Sequence, residues 1–190
     1  MTTYSCSKER FDSDVSEHAM TVLRANGVDR HLRFKKPTTT CYWFDVITWP
    51  GTLCIDGDCG TFVFRRITDM FDFFRDGDGD INPSYWSEKC VTASKRAVTE
   101  FAWDTFAKNV KEYVEDEDVD LRSAVLTELG FVEPDEFGAV AFIRDFEHDG
   151  FRFQNWDADS REYTFHFIWC LRAIVWAIAQ WDASAKECAV

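Results

Sequence analysis

Hydrophobic and polar residues alternate with two different periods along this chain. Val15, Ala19, Val22 and Leu23 fall at helical spacing. Asp14 and Glu17, three apart, resemble a capping box, and Gly27 offers a stop, so the pattern predicts a helix near 14–26. The period then drops to two. In HLRFKK, Leu32 and Phe34 point one way while His31, Arg33 and Lys35 point the other. CYWFDVITW, residues 41–49, forms a longer strand with both faces largely apolar. Pro50-Gly51 suits the centre of a type II turn, where glycine accepts the positive φ. TLCI and TFVFRR follow as strands, joined through Asp56-Gly57-Asp58-Cys59-Gly60. Four strands with short connections make an antiparallel meander.

Helical spacing dominates the rest. Ile67, Met70, Phe71 and Phe74 recur at i, i+3, i+4 and i+7, predicting an amphipathic helix packed on the sheet. Asn82 and Pro83 suit the cap and first position of a helix running to about Ala93. Asp104 caps another, with Phe106, Val110, Tyr113 and Val114 as its apolar stripe. Helices near 119–129, ended by Gly130, and 134–147 come next, and FRFQNW adds a short strand. A last helix, about 162–182, is apolar nearly all round, as a helix surrounded by the other elements would be. The expected fold is α+β: a four-stranded antiparallel meander with six or seven helices, in one domain over residues 1–190. Its N-terminal helix and sheet occupy 1–75 and an acidic helical part occupies 76–190.

Charge changes this picture more than composition does. Thirty-four Asp and Glu against 21 Lys and Arg leave −13. Residues 1–36 are basic by two charges, whereas 76–120 carry −7 and 121–190 carry −6. Such a chain repels free nucleic acid and anionic membrane and is drawn to basic surfaces. Seven cysteines without a secretory leader point to free thiols in a reducing cytoplasm. The longest apolar run, Phe165–Trp181, is broken by His166, Arg172 and Gln180, so no membrane span is expected.

No motif dictates a reaction. DGDGDINPSYWSE, 76–88, opens like a calcium loop, but the template's sixth and twelfth positions hold Ile81 and Ser87. It is read as a solvated turn. Cys54, Cys59, Cys41 and His31 lack a second close pair for zinc, and Cys41 shares a parity with Trp43 and Ile47, positions read as packed small hydrophobes, so no cofactor or metal is expected. No nucleophile turn or phosphate loop occurs, so no catalytic residue is assigned. Arg172, in the last helix, is expected to need a carboxylate partner.

The acids remain. Asp118 and Asp120, like Asp135 and Glu136, sit where helix N-termini favour negative charge. Glu112, Glu115 and Asp116 fall in the expected last turn of one helix, and Asp145, Glu147 and Asp149 in that of another. Anions there are opposed by the helix dipole by about 0.3–1 kcal/mol each, which suggests retention for a partner. With Glu117, these residues are the candidate partner-binding set: Glu112, Glu115, Asp116, Glu117, Asp118, Asp120, Asp145, Glu147 and Asp149.

HLRFKKP, YWFDVITWPGTLCIDGDCGTFVFRRITDMFDFF, INPSYWSEK and YTFHFIWCLRAIVWAI resemble segments of a little-described family encoded by bacteriophages and prophages. The resemblance covers about residues 30–90 and 160–182 and brings no catalytic motif. It implies a small accessory protein in the cytoplasm of an infected bacterium. Acidic, cofactorless proteins of that origin include inhibitors of host defence, anti-CRISPR proteins among them. The expected function is therefore inhibition of a bacterial defence complex: a non-enzymatic protein covers a nucleic-acid-binding basic surface with phosphate-mimicking carboxylates and itself binds no nucleic acid. Two alternatives stand beside it. One is an enzyme acting on a nucleotide or protein over the sheet face bearing His31, Arg33 and Lys35. The other is a self-assembling phage accessory protein, a homo-oligomer.

Overall fold

The computed structural model describes residues 5–75, 80–91 and 95–187. Helix α1 (Lys8–Val15) leads into five consecutive strands: β1 (Ala19–Asn26), β2 (Asp29–Lys35), β3 (Phe44–Trp49), β4 (Thr52–Gly57) and β5 (Gly60–Arg65). Then come α2 (Met70–Arg75), α3 (Pro83–Ser87), α4 (Lys95–Val98), β6 (Thr99–Phe101), α5 (Trp103–Tyr113), α6 (Val119–Leu129), α7 (Glu136–Asp145), β7 (Arg161–Tyr163) and α8 (Phe165–Glu187). The fold is α+β. β1 to β5 form an antiparallel sheet in sequence order, and β6 lies beside β7 in a two-stranded one.

The contacts divide the chain into two compact units, one of residues up to Val98 plus Tyr163 onward, the other Thr99–Glu162. In the first unit the sheet is the organising element. Cross-strand rows Leu32–Val46–Ile55–Phe62 and Phe34–Phe44 are buried on one face, where α1, α2 and α8 pack. Trp169 of α8 meets Phe11, Tyr42 and Phe44 ring to ring. Gly57 lies so close to the preceding strand that an added Cβ would sit 2.2 Å from the Trp43 carbonyl oxygen. The opposite face carries His31, Arg33, Asp45, Cys54 and Asp56. Among the described residues, no helix is long and apolar enough to cross a membrane.

The sheet has five strands rather than four because the helix expected over 14–26 does not form. Ser7 caps the helix that does, its hydroxyl accepting from Arg10 N–H at 3.2 Å. Asp14 is no cap: its carboxylate takes bonds from the Arg10 guanidinium and the Trp169 indole N–H. Residues 19–26 pair along β2, and Asn26 faces Asp29 across a two-residue turn. There Gly27 has φ 59°, as the first position of a type II′ hairpin requires. The apparent helical spacing of Val22 and Leu23 belongs to an exposed edge strand.

Other boundaries shift too. α2 starts at Met70 and leaves Ile67 exposed. Asn82 and Pro83 open α3 as expected, but it ends at Ser87, and the chain then bridges Phe64 through Cys90. α8 buries Phe167 to Leu171, Ala173, Ile174, Ala177 and Ile178, while His166, Ala179 and Gln180 are exposed, so one side of it is wet. FRFQNW contains only an isolated bridge, His148 to Phe151. The second unit has its own core, in which Phe106 and Val110 of α5, Leu121, Val125 and Leu129 of α6, and Ala139, Phe142 and Phe146 from α7 and its end cluster together.

Candidate partner-binding surface

The second unit carries six Lys and Arg against eighteen Asp and Glu in 64 residues, a net −12. The other 126 residues carry fifteen against sixteen, a net −1. Nearly the whole excess charge is therefore confined to one third of the chain. All nine candidate acids lie in this unit, and all are exposed.

Their local roles differ. Glu112 lies in the last turn of α5, where Lys108 one turn earlier pairs with it at 3.4 Å. Glu115, Asp116 and Glu117 lie beyond that helix, in the turn to α6, so the dipole argument made for Glu115 and Asp116 does not apply. The Arg122 guanidinium donates to the Glu115 carbonyl and holds this turn. Asp118 is the N-cap of α6 and accepts from the N–H groups of Asp120 and Leu121, both at 2.9 Å. Asp120 follows in the first turn, where the dipole favours it. α7 ends at Asp145, whose carboxyl the Arg144 guanidinium holds below its ordinary range. Glu147 and Asp149 lie past the helix end, again outside the reach of its dipole. Glu147 pairs with Arg152 across a turn in which Asp149 and Gly150 take φ 48° and 86°. An Asp-Gly pair with both φ positive fits a type I′ turn, so Asp149 has a structural role.

Of the two acidic runs, the fold brings Asp120 and the 147–150 turn, through His148, to one depression. Asp120, Ser123, Thr127 and Glu128 of α6, Phe131 beyond its end, and His148 from the 147–150 turn line one open depression of about 550 Å³. Among the described residues, neither Asp120 nor Glu128 has an ion-pair partner. Glu128 and Phe131, which line this depression, and the exposed Val119 and Leu126, which do not, were not legible in the sequence as surface positions. The available signal was phase: α6 buries Leu121, Val125 and Leu129 at i, i+4 and i+8, and Val119 and Leu126 fall off that stripe.

The remaining chemistry is structural. On the open sheet face, Asp45 accepts two bonds from Arg33 and one from His31 Nε2, all at 2.8 Å. Cys54, on the row that also holds His31 and Ile47, is pushed up to about 11 by burial and by Asp56 and Asp45, which keeps it a thiol. Cys59 is buried on the core side and pushed up to about 12 by burial and nearby Asp58. Cys54 and Cys59 thus sit in different environments, and among the described residues no three His, Cys, Asp or Glu converge on a metal position. The start of the calcium-like stretch, 76–79, lies outside the described residues. Among the described residues no carboxylate pairs with Arg172; its Nε donates to the Cys6 carbonyl at 3.1 Å, beside a cleft of about 160 Å³ walled by Phe11, Val175 and Trp176. A second cleft in the acidic unit, about 470 Å³, is lined mainly by Phe101, Phe106, Val140, Ile143 and Trp156. Its Arg161 is already held by Glu136 and the Thr99 carbonyl. Comparison with protein-family models, curated proteins and solved structures finds no match to this chain, so its chemistry is read from its own residues.

Proposed function

We propose that this protein is a non-catalytic inhibitor of a bacterial defence complex, of phage or mobile-element origin and of the anti-CRISPR kind. Its acidic unit covers Lys and Arg that otherwise hold nucleic-acid phosphates. The observation that carries this reading is the confinement of −12 to 64 residues. Duplex DNA presents one charge per ~1.7 Å of axis, so twelve charges correspond to about 20 Å of duplex. A compact unit of this length is about 28 Å across by the size scaling of folded domains. The charge density therefore approaches that of the polymer it would replace. Asp120 and Glu128 line one open depression beside His148, and all nine candidate acids are exposed, which supports an acidic surface on this unit. The origin and the target class rest on the resemblance of residues 30–90 and 160–182.

The test is capture from bacterial lysate by the tagged protein, followed by elution with duplex DNA. The expected result is a nucleic-acid-binding complex that is retained at low salt and displaced by the duplex. A variant with Glu115, Asp116, Glu117 and Asp120 all changed to Lys is expected to retain nothing while melting as the parent does. Equal capture by the folded variant, or a captured complex that duplex does not displace, overturns the reading.

A further inference from the structure

We infer that the cleft between α1 and α8 is a binding site for a small monoanion that carries one carboxylate on a single aromatic ring. The cleft belongs to the charge-balanced unit, so the inference stands apart from the acidic surface. Arg172, Val175, Trp176 and Ala179 recur at i, i+3, i+4 and i+7 and give it one stripe of α8. α1 gives the other wall, the Phe11 ring with the Lys8–Asp12 pair beside it. Trp176 is half-buried: its ring meets Phe34 and Phe44 of the core edge-on, with centroids at 5.3 and 6.3 Å, and also lines the cleft.

The cation identifies the ligand's charge. Arg172 is half-buried, and its Nε donates to the Cys6 carbonyl at 3.1 Å. Among the described residues, no protein acceptor takes a bond from its Nη1 or Nη2. Asp12, the acid that shares the cleft, is taken by Lys8 at 2.5 Å, and Glu9 of the same helix makes no ion pair with Arg172. Lys8 and Arg172 against Asp12 leave the lining one net positive charge. With Nε held, the guanidinium offers its Nη1–Nη2 edge, whose parallel N–H bonds match the two oxygens of a carboxylate. A single net charge suits a monoanion and leaves a phosphate dianion half-neutralised. Volume then sets the rest of the ligand. The cleft holds about 160 Å³, and an apolar cavity of about 150 Å³ takes one benzene-sized ring. Phe11 and Trp176 supply the aromatic contacts for that ring and Val175 an aliphatic one.

The experiment titrates benzoate, benzamide, acetate and orthophosphate into the full chain and follows backbone amide and indole N–H chemical shifts. Benzoate is expected to saturate in the millimolar range, as suits so small a ligand, with shifts at residues 8–12 and 172–179. Benzamide lacks the charge and acetate lacks the ring, and each is expected to bind at least ~tenfold more weakly. Arg172→Lys keeps the charge but not the planar edge and is expected to weaken benzoate at least ~tenfold. Ala179 lines the cleft from an exposed position, so Ala179→Leu is expected to block benzoate while melting as the parent does. This second variant keeps the test decisive if Arg172→Lys fails to fold. Equal binding of benzoate and benzamide overturns the role of the carboxylate, and tighter binding of orthophosphate than of benzoate overturns the monoanion. No saturable shift at the cleft, or unchanged benzoate binding by Ala179→Leu, overturns the site itself.

Discussion

Asp45 is the residue where charge and burial conflict most directly. It is 4% exposed, yet it is a carboxylate on the open face of the sheet. Burial alone would raise its pKa, but the bonds from Arg33 and His31 outweigh this and hold it below the ordinary 3.8. The folded state therefore binds fewer protons than the unfolded chain just below that value. It follows that the stabilisation is fully present above pH 3.8 and is lost as pH falls through the lower, folded pKa. Asp45→Asn is expected to cost about 1–2 kcal/mol at neutral pH, the modest end for hydrogen bonds to charged groups because Arg33 stays open to solvent. The parent and Asp45→Asn melting curves, compared from neutral pH to pH 3, check this. The gap between them should narrow only below pH 4. A constant gap would mean that the charge on Asp45 contributes nothing.

Individual elements were legible where a capping group and an apolar stripe agreed. α6 is the clear case: Asp118, the Leu121–Val125–Leu129 stripe and Gly130 all mark the helix that forms. Its cap separates two roles of one acid. Asp118→Asn preserves the capping acceptor and is expected to leave the melting temperature unchanged, whereas Asp118→Ala costs about 1 kcal/mol. If the Asn variant also weakens partner capture, the charge serves binding and the acceptor serves folding; equal melting of all three proteins would deny the cap any weight. The N-terminal pattern is ambiguous: Asp14 and Glu17 mimic a capping box, and Gly27 serves a helix stop and a hairpin turn equally well. An edge strand with exposed Val22 and Leu23 has no buried face to impose a period of two, so its pattern carried little information. The acids were legible as a set. Their meeting with Phe131 and Glu128 was not, because it depends on how the 147–150 turn lies beside α6.

At the scale of the whole molecule, one charge-balanced unit and one strongly acidic unit share a chain, and their stabilities should answer to salt differently. Twelve net charges on a body about 28 Å across repel one another. The Debye length is about 30 Å at 0.01 M salt and about 8 Å at 0.15 M. At the lower value every carboxylate in the acidic unit feels the others; at the higher one only neighbours interact. Amides in α5, α6 and α7 are therefore expected to gain several-fold protection from hydrogen exchange as salt rises between those concentrations, while those in β2, β3 and β4 change little. A basic partner relieves the same repulsion by supplying cations, yet added salt weakens its attraction. Salt should thus stabilise the acidic unit alone and destabilise its complex. These opposite slopes distinguish an acidic surface held for a partner from acids held for solubility. Equal gains in protection in both units would show that the confinement of charge has no energetic consequence for the fold.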